Sequence, residues 1–181
     1  MQNIGFAYAM LPGLKRLAAD GPGKAVGRYV KFSNTHPYMA PTVMGVFLKL
    51  EEQGDLETIE KFKQTVSSSL AAIGDTFFWA TLKPIIALLF VLAVMVDRVW
   101  GIALALTAYN GIHLWTMTWG FTHGYQNGPG GALEIGKMLS IDRSSRVSYA
   151  IPLLAGMAIA ALAQWGNIGT DLPASLVIFL A

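Results

Sequence analysis

The sequence contains no cysteine and few charged residues. Of its 181 residues, 13% are charged and 54% are hydrophobic, with a mean hydropathy of +0.47, whereas soluble domains average about 25% charged residues. The absence of cysteine excludes disulfides and thiolate metal sites. The net charge of +2 is too small and too scattered for a nucleic-acid surface. The composition therefore predicts a membrane protein that does not bind nucleic acid.

Sequence motifs for catalysis and export are also missing. The sequence has no Gly-rich phosphate loop, nucleophile elbow or HExxH zinc motif. His113 and His123 are ten residues apart, without helical pairing or an accompanying acidic residue, which disfavours a metal site. The first 17 residues lack the basic n-region and the cleavage site of a signal peptide. We expect no catalytic residue, no metal and no cofactor in this chain.

The charged residues divide the chain into a wetter first part and an apolar second part. Residues 1–83 hold nine Lys and Arg and seven acidic residues, whereas residues 84–181 hold four of each. Residues 2–18 have the spacing of an amphipathic surface helix, with a break expected at Pro12–Gly13. We expect one domain over residues 1–181, in which residues 1–70 form amphipathic and partly cytoplasmic helices and the rest forms a membrane core.

Proline and glycine mark the helix ends in the first part. Pro37 and Pro41 are each expected to start or break a helix. A turn is expected at Gly54–Asp55, between two helices. The charged side chains of the second of these helices are expected to form a solvated face: Glu57, Glu60, Lys61 and Lys63.

The candidate membrane spans lie in the second part. Residues 84–96 are apolar but shorter than the roughly twenty residues that cross a bilayer, so they are re-entrant or gain length from residues 77–83. Residues 99–121 are long enough to cross, and residues 147–165 are the best single candidate, while residues 122–132 are expected to form a loop. The predicted fold is all-α: a polytopic membrane protein with amphipathic or re-entrant helices first and spanning helices later.

The stretch GDTFFWATLKP suggests a ligand site. If Asp75 opens a helix, then Asp75, Trp79 and Lys83 are spaced i, i+4 and i+8 and share one face. A carboxylate accepts hydrogen bonds from neighbouring hydroxyls and Trp stacks on the C–H face of a pyranose, so this face suits a polyhydroxylated ligand. The alternative is that Asp75 only caps the helix.

The stretch NTHPYM allows the same two interpretations. Pro37 pushes His36 out of the helical region, so the imidazole and the free backbone groups are available to line a polar cavity. The alternative is that Asn34 or Thr35 caps a helix near Pro37 and that His36 is an interface residue with its hydrogen bonds satisfied.

Four stretches together resemble a known family: MQNIGFAYAMLPGLKRL, FSNTHPYMAPTVMGVFLKLEE, AAIGDTFFWATLKPI and YNGIHLWTMTWGFTHGYQNG. In this order they resemble the IID component of the mannose/fructose/sorbose family of the bacterial phosphotransferase system (PTS), over roughly residues 1–131. The resemblance places Asn34 and His36 in an NTHP motif and Asp75 and Trp79 in a GD(S/T)xFW motif, as sugar-facing positions. Lys83 stands where the family often has Arg, which keeps the charge without the bidentate fork.

The resemblance implies a non-catalytic permease subunit in the bacterial cytoplasmic (inner) membrane. Its implied partners are a IIC subunit, the IIB and IIA phosphocarrier proteins, membrane lipid and a hexose, with assembly as a trimer of IIC/IID pairs. Family members usually have a further amphipathic stretch before the position of Met1, so the start lies upstream or that arm is missing. The alternative function is a degenerate regulatory or scaffold protein without transport. The particular hexose and the membrane orientation stay open.

Overall fold

The protein is all-helical in the computed structural model, as the sequence predicts. The structure describes residues 2–30 and 35–165, and neither range contains a β-strand. Its elements are α1 (Gln2–Leu17), α2 (Pro22–Val30), α3 (Ala40–Gln53), α4 (Leu56–Gly74), a π-helix (Asp75–Leu82), α5 (Lys83–Val96), α6 (Arg98–Met138), α7 (Ile141–Ser148) and α8 (Ala150–Trp165).

The first helices form a packed core. α1 lies against α2 and α3, and Phe6, Met10 and Leu14 make up its buried face. The Phe6 ring meets the Phe47 ring edge-on, with 6.1 Å between centroids. The expected break at Pro12 is wrong, because α1 continues through the proline. Apolar burial on both sides of Pro12 outweighs one missing backbone hydrogen bond.

The predicted turns are confirmed. Pro37 lies in the turn before α3, and Pro41 occupies its first turn. Gly54 ends α3 with φ at 69°, in the left-handed region that favours glycine, and Asp55 caps α4 by accepting the Thr58 N–H at 3.0 Å.

The charged face expected on α4 is only partly solvated. Glu57 and Lys61 are exposed and form an ion pair at 2.6 Å. Lys63 pairs with Glu60 but also donates to the backbone oxygen of Arg28 at 2.8 Å, and its side chain is 13% exposed. Lys63 therefore helps to hold α4 against α2.

A buried carboxylate fixes α2 on α3. Glu51 is 1% exposed and accepts hydrogen bonds from Arg28 Nη2 at 2.7 Å and from the Tyr29 hydroxyl at 2.7 Å. Arg28 also pairs with Asp20, and this hydrogen bond lowers the pKa of Asp20. Burial, together with the hydrogen bond to Glu51, raises the pKa of Tyr29. The phenol therefore stays protonated and donates to Glu51.

We expect Glu51→Gln to destabilise the fold by roughly 1.5–3 kcal/mol, the usual contribution of hydrogen bonds to a charged group. Arg28 keeps Asp20 as a partner, so the larger cost of an unpaired buried charge is avoided. Chemical denaturation in detergent, followed by circular dichroism, measures the change. Glu57→Gln is the control, because exposed ion pairs contribute little. Equal losses in the two variants would contradict the assignment.

α3 and α6 cross with backbone in contact with backbone. A Cβ on Gly45 of α3 would lie 2.3 Å from the backbone oxygen of Phe121. A Cβ on Gly124 of α6 would lie 2.4 Å from the backbone oxygen of Thr42. Small residues at such a crossing allow the helix axes to approach closely. This contact holds α6 against the core.

One continuous helix joins the core to the apolar region. The segment Ser68–Val96, built from the end of α4, the π-helix and α5, has 29 residues and is long and apolar enough to cross a membrane. Residues 84–96 therefore gain length from upstream and are not a separate re-entrant element. Only 6% of the most apolar window of this helix is buried, so its surface is left for lipid or another chain.

A second membrane crossing requires two helical segments that meet at an angle and act together as one span. The segments Arg98–Ser148 and Ala150–Gln164 meet at an angle of 42°. Taken together, they are also long and apolar enough to cross a membrane. The prediction that residues 147–165 are the best single span is wrong, because α8 has 16 residues and Ser68–Val96 is the longer apolar helix. α5 and α6 turn back on each other at Asp97, whose carboxylate accepts the Trp100 N–H at 2.9 Å.

The loop expected over residues 122–132 is partly confirmed. Most of this stretch is helical, but Gly128, with φ at 58° and ψ at −143°, breaks α6 into two helices. The second helix folds back beside the first, since Ile135 and Trp119 line the same cavity. Gly124 lies at the close crossing with α3, and Gly128 forms the break. The kink has ordinary causes, since Gly128 takes a non-helical conformation and Pro129 follows it.

Candidate functional site

The turn before α3 builds one side of the candidate site. The His36 backbone oxygen accepts the Met39 and Ala40 N–H groups, both at 2.9 Å, which closes the turn around Pro37. This geometry follows from the proline, which keeps the preceding residue out of the helical region. His36 is 2% exposed, so its ring is held inside the protein.

Aromatic rings and one glycine surround His36. Its ring stacks on Phe78 at 5.4 Å between centroids and meets the Trp79 ring edge-on, also at 5.4 Å. A Cβ on Gly74 would lie 2.5 Å from the His36 Cβ. Gly74 has ordinary helical φ and ψ of −61° and −45°, so glycine is needed here for space. The sequence interpretation missed this role of Gly74.

The hydrogen bonds of His36 define its tautomer. Nδ1 accepts the Tyr38 N–H at 3.2 Å, so the neutral ring carries its proton on Nε2. Burial lowers the pKa of His36, although the charge of Asp75 opposes this. Nε2 is buried, has no hydrogen-bond partner among residues 2–30 and 35–165, and lies 3.8 Å from Asp75 Oδ1. The ring therefore presents a donor close to the Asp75 carboxylate.

Asp75 is the first residue of the π-helix, which continues directly from α4 without a free helix N-terminus. Its φ and ψ are −59° and −46°, and α4 leads directly into it. The π-helix is wound more widely than an α-helix: the Lys83 N–H donates to the backbone oxygen of Phe78, five residues earlier. The interpretation of Asp75 as an N-cap is wrong, because the preceding turns of α4 leave no helix N-terminus to cap.

Asp75, Trp79 and Lys83 form an exposed stripe, which we call the polar stripe. The Asp75 side chain is 62% exposed and Trp79 is 55% exposed. The Lys83 ammonium lies 5.9 Å from the centre of the Trp79 ring, within the range of a cation–π contact. The predicted sharing of one face is confirmed, and this face lies on the helix that is apolar enough to cross a membrane.

Four of the five predicted site residues lie together. His36 lies behind the stripe, close to Asp75 and Trp79, while Asp75, Trp79 and Lys83 are open to a ligand. Asn34 lies outside the described residues. The exposed carboxylate is able to accept hydrogen bonds from hydroxyls, and the ammonium is able to donate them. The indole is able to stack on a sugar ring. Their role in binding stays a prediction.

The family of the chain follows from a comparison with family models. The model described as "PTS system mannose/fructose/sorbose family IID component" matches residues 1–176. The chain belongs to this family. The resemblance stated from the motifs is confirmed.

Individual relatives agree with this assignment. The mannose-specific EIID component of Escherichia coli is 33% identical over 137 residues, which cover 71% of this chain and 48% of that protein. The fructose permease IID component of Bacillus subtilis is 28% identical over 186 residues, 98% of this chain and 66% of that protein. This IID chain thus spans about half the length of the mannose-specific relative.

A solved structure is similar to the fold. It is a cryo-electron microscopy structure of the mannose transporter ManYZ in complex with a microcin, and one of its chains matches with a TM-score of 0.64 and 29% identity. The match covers 94% of this chain and 63% of that one. The likeness therefore extends over both the core and the apolar helices of this IID chain.

One histidine of this IID chain has an acidic partner that the sequence interpretation missed. His123 Nε2 lies 2.9 Å from Glu134 Oε2, across the bend at Gly128. The two residues are eleven positions apart, and the bend brings them together. Within residues 2–30 and 35–165, no three His, Asp or Glu side chains are grouped so that they could hold a metal ion.

Proposed function

We propose that this chain is the IID membrane subunit of a sugar-specific phosphotransferase permease. With a IIC subunit it forms the pathway and binding site for a hexose, which a IIA/IIB relay phosphorylates during uptake. The chain itself is the non-catalytic subunit and carries no phosphocarrier residue. The single observation that supports this proposal is the polar stripe, an acid, an indole and an ammonium exposed on an apolar helix and backed by a buried histidine.

The environment of the stripe argues for a pathway. Charged side chains inside a bilayer are costly and almost always face protein or a water-filled cavity. Asp75 is exposed in this chain, so we propose that the IIC subunit supplies the opposite wall. The relative ManYZ is a mannose transporter of known structure, which supports a IIC/IID complex as the unit of function.

The location and assembly belong to the same proposal. We place the chain as a single IID-type, multi-pass domain in the bacterial cytoplasmic membrane, with Ser68–Val96 as one crossing and the bent pair Arg98–Ser148 and Ala150–Gln164 as a second. The IIC/IID pairs assemble as a trimer and contact lipid through the exposed apolar surface of α5 and α6. The amphipathic helices up to residue 70 lie partly on the cytoplasmic side, and α4 carries the chain from there into the membrane.

The polar groups of the site suit a hexose. A carboxylate hydrogen-bonds two neighbouring hydroxyls, and an indole packs on the apolar face of a pyranose. His36 holds an Nε2–H donor behind the stripe, with 3.8 Å between Nε2 and Asp75 Oδ1, which is longer than a hydrogen bond. The names of the similar proteins contain mannose, fructose and sorbose, so these are the sugars to test first.

We expect Asp75→Asn to lower sugar affinity about tenfold, equivalent to 1.4 kcal/mol, while the complex still assembles. The substitution keeps the size of the side chain but removes the charge, and hydrogen bonds to a charged acceptor contribute roughly 1.5–3 kcal/mol. The affinity is measured by titrating the purified IIC/IID complex, with assembly checked by size exclusion. Trp79→Phe and His36→Gln should weaken binding in the same titration.

Asp55→Asn is the matched control, because Asp55 is an exposed carboxylate that caps α4 and Asn caps about equally well. Its affinity should equal that of the unmodified complex. Unchanged affinity in Asp75→Asn would rule out the stripe as the sugar site. An assembled, unmodified complex that binds none of the three sugars would favour the scaffold alternative.

A further inference from the structure

Two tyrosine hydroxyls connect the His36 turn to α6. The Tyr38 and Tyr109 hydroxyls are hydrogen-bonded to each other, and both residues are half-buried. The Tyr38 ring also lies against His113 of α6 at 4.1 Å between centroids and against Phe78 of the π-helix at 4.8 Å. Tyr38 therefore contacts both helices that border the site.

The backbone of Tyr38 acts on His36. Its N–H donates to His36 Nδ1, which places the ring proton on Nε2, facing Asp75. A shift of the Tyr38 ring would move its own backbone and weaken this hydrogen bond. A continuous set of contacts thus runs from Tyr109 through Tyr38 and His36 to Asp75.

We infer that Tyr38 and Tyr109 are positioning residues of the sugar site. Their shared hydrogen bond holds the turn in register with α6, keeps His36 in the Nε2–H tautomer, and so keeps an N–H donor beside the Asp75 carboxylate in the site. The part of this inference that concerns sugar rests on the proposed function. The tautomer of His36 does not depend on it.

A purely structural role predicts a different result. If the tyrosines only pack α6 against the turn, their rings suffice, and removing a hydroxyl changes stability without changing His36. The distinction requires Phe variants, which keep the rings and their contacts with His113 and Phe78.

The first test is a double-mutant cycle on the IIC/IID complex, with mannose and fructose as probes. Tyr38→Phe and Tyr109→Phe should each lower the affinity about three- to tenfold, as expected for the loss of one hydrogen bond. The double variant should be no worse than either single variant, because both remove the same bond. Tyr8→Phe is the control, since Tyr8 is 76% exposed on α1.

The second test observes His36 directly by NMR of histidine labelled at the ring nitrogens. The chain has three histidines, and His36→Gln identifies the signals of His36. We expect a single Nε2–H tautomer in the unmodified complex and exchange between tautomers in both Phe variants. His123, on α6 beyond the region of Tyr109, should keep its signals and serves as the internal reference.

The possible results separate this inference from the proposed function. Unchanged His36 signals in both Phe variants, or additive losses of affinity in the double variant, would overturn the inference while leaving the sugar site in place. If the unmodified complex binds no sugar, the proposed function fails. The His36 spectrum then decides the positioning role alone.

Discussion

Gly124→Ala is expected to destabilise the chain by about 3 kcal/mol, at the upper end of the usual effect of overpacking. The added Cβ would lie 2.4 Å from the backbone oxygen of Thr42. A backbone atom inside a helix does not move aside as a flexible side chain does, so α3 and α6 must separate. The melting temperature of the full chain in detergent, followed by circular dichroism, measures the loss.

Gly111→Ala is the matched control on the same helix. A Cβ at Gly111 has no neighbour within 4 Å in the part of the chain that the structure describes, and alanine is better than glycine inside a helix by roughly 1 kcal/mol. This variant should melt at the same temperature or higher. If both variants melt alike, the close crossing of α3 and α6 does not stabilise the fold.

Gly74→Ala is expected to lower sugar affinity by at least about thirtyfold, equivalent to roughly 2 kcal/mol. The new Cβ would overlap the His36 ring, at 2.5 Å from Cβ and 2.6 Å from Cγ. The ring must leave its place on Phe78, and the Nε2–H donor beside Asp75 leaves with it. Stability should change less, because the gain in helix propensity offsets part of the overlap.

This second result is measured on the IIC/IID complex by the same sugar titration, together with its melting temperature. Gly156→Ala on α8 is the control, since a Cβ there has no neighbour within 4 Å among the described residues. Full affinity in an assembled Gly74→Ala complex would mean that the position of His36 does not matter for binding.

The sequence predicted the shared face of Asp75, Trp79 and Lys83 better than it predicted the helices around them. The spacing of Asp75, Trp79 and Lys83 predicts one shared face under any helical winding of nearly four residues per turn. The π-helix itself was not predicted. Its five-residue hydrogen bonds, such as that from the Lys83 N–H to Phe78, depend on packing against other elements and leave no simple local signature.

Glycine produced the clearest errors, because its role depends on distant contacts. Gly124 belongs to the stretch 122–132, which is rich in glycine, a composition typical of loops. In the structure it lies in the part of α6 before Gly128, where a Cβ would touch Thr42 of α3. Gly74 likewise makes room for His36, a residue far away in the chain. Such contacts are visible only once the helices are assembled.

The polar stripe has a consequence for biosynthesis. Lys83 lies near the middle of the Ser68–Val96 helix, and Asp75 lies within it. On the scale of membrane insertion, each such residue costs up to roughly 3 kcal/mol at the centre of a span. The residues proposed to bind sugar therefore also oppose the entry of this helix into lipid. Under the proposed assembly, a newly made copy is anchored less firmly until the IIC subunit covers the stripe.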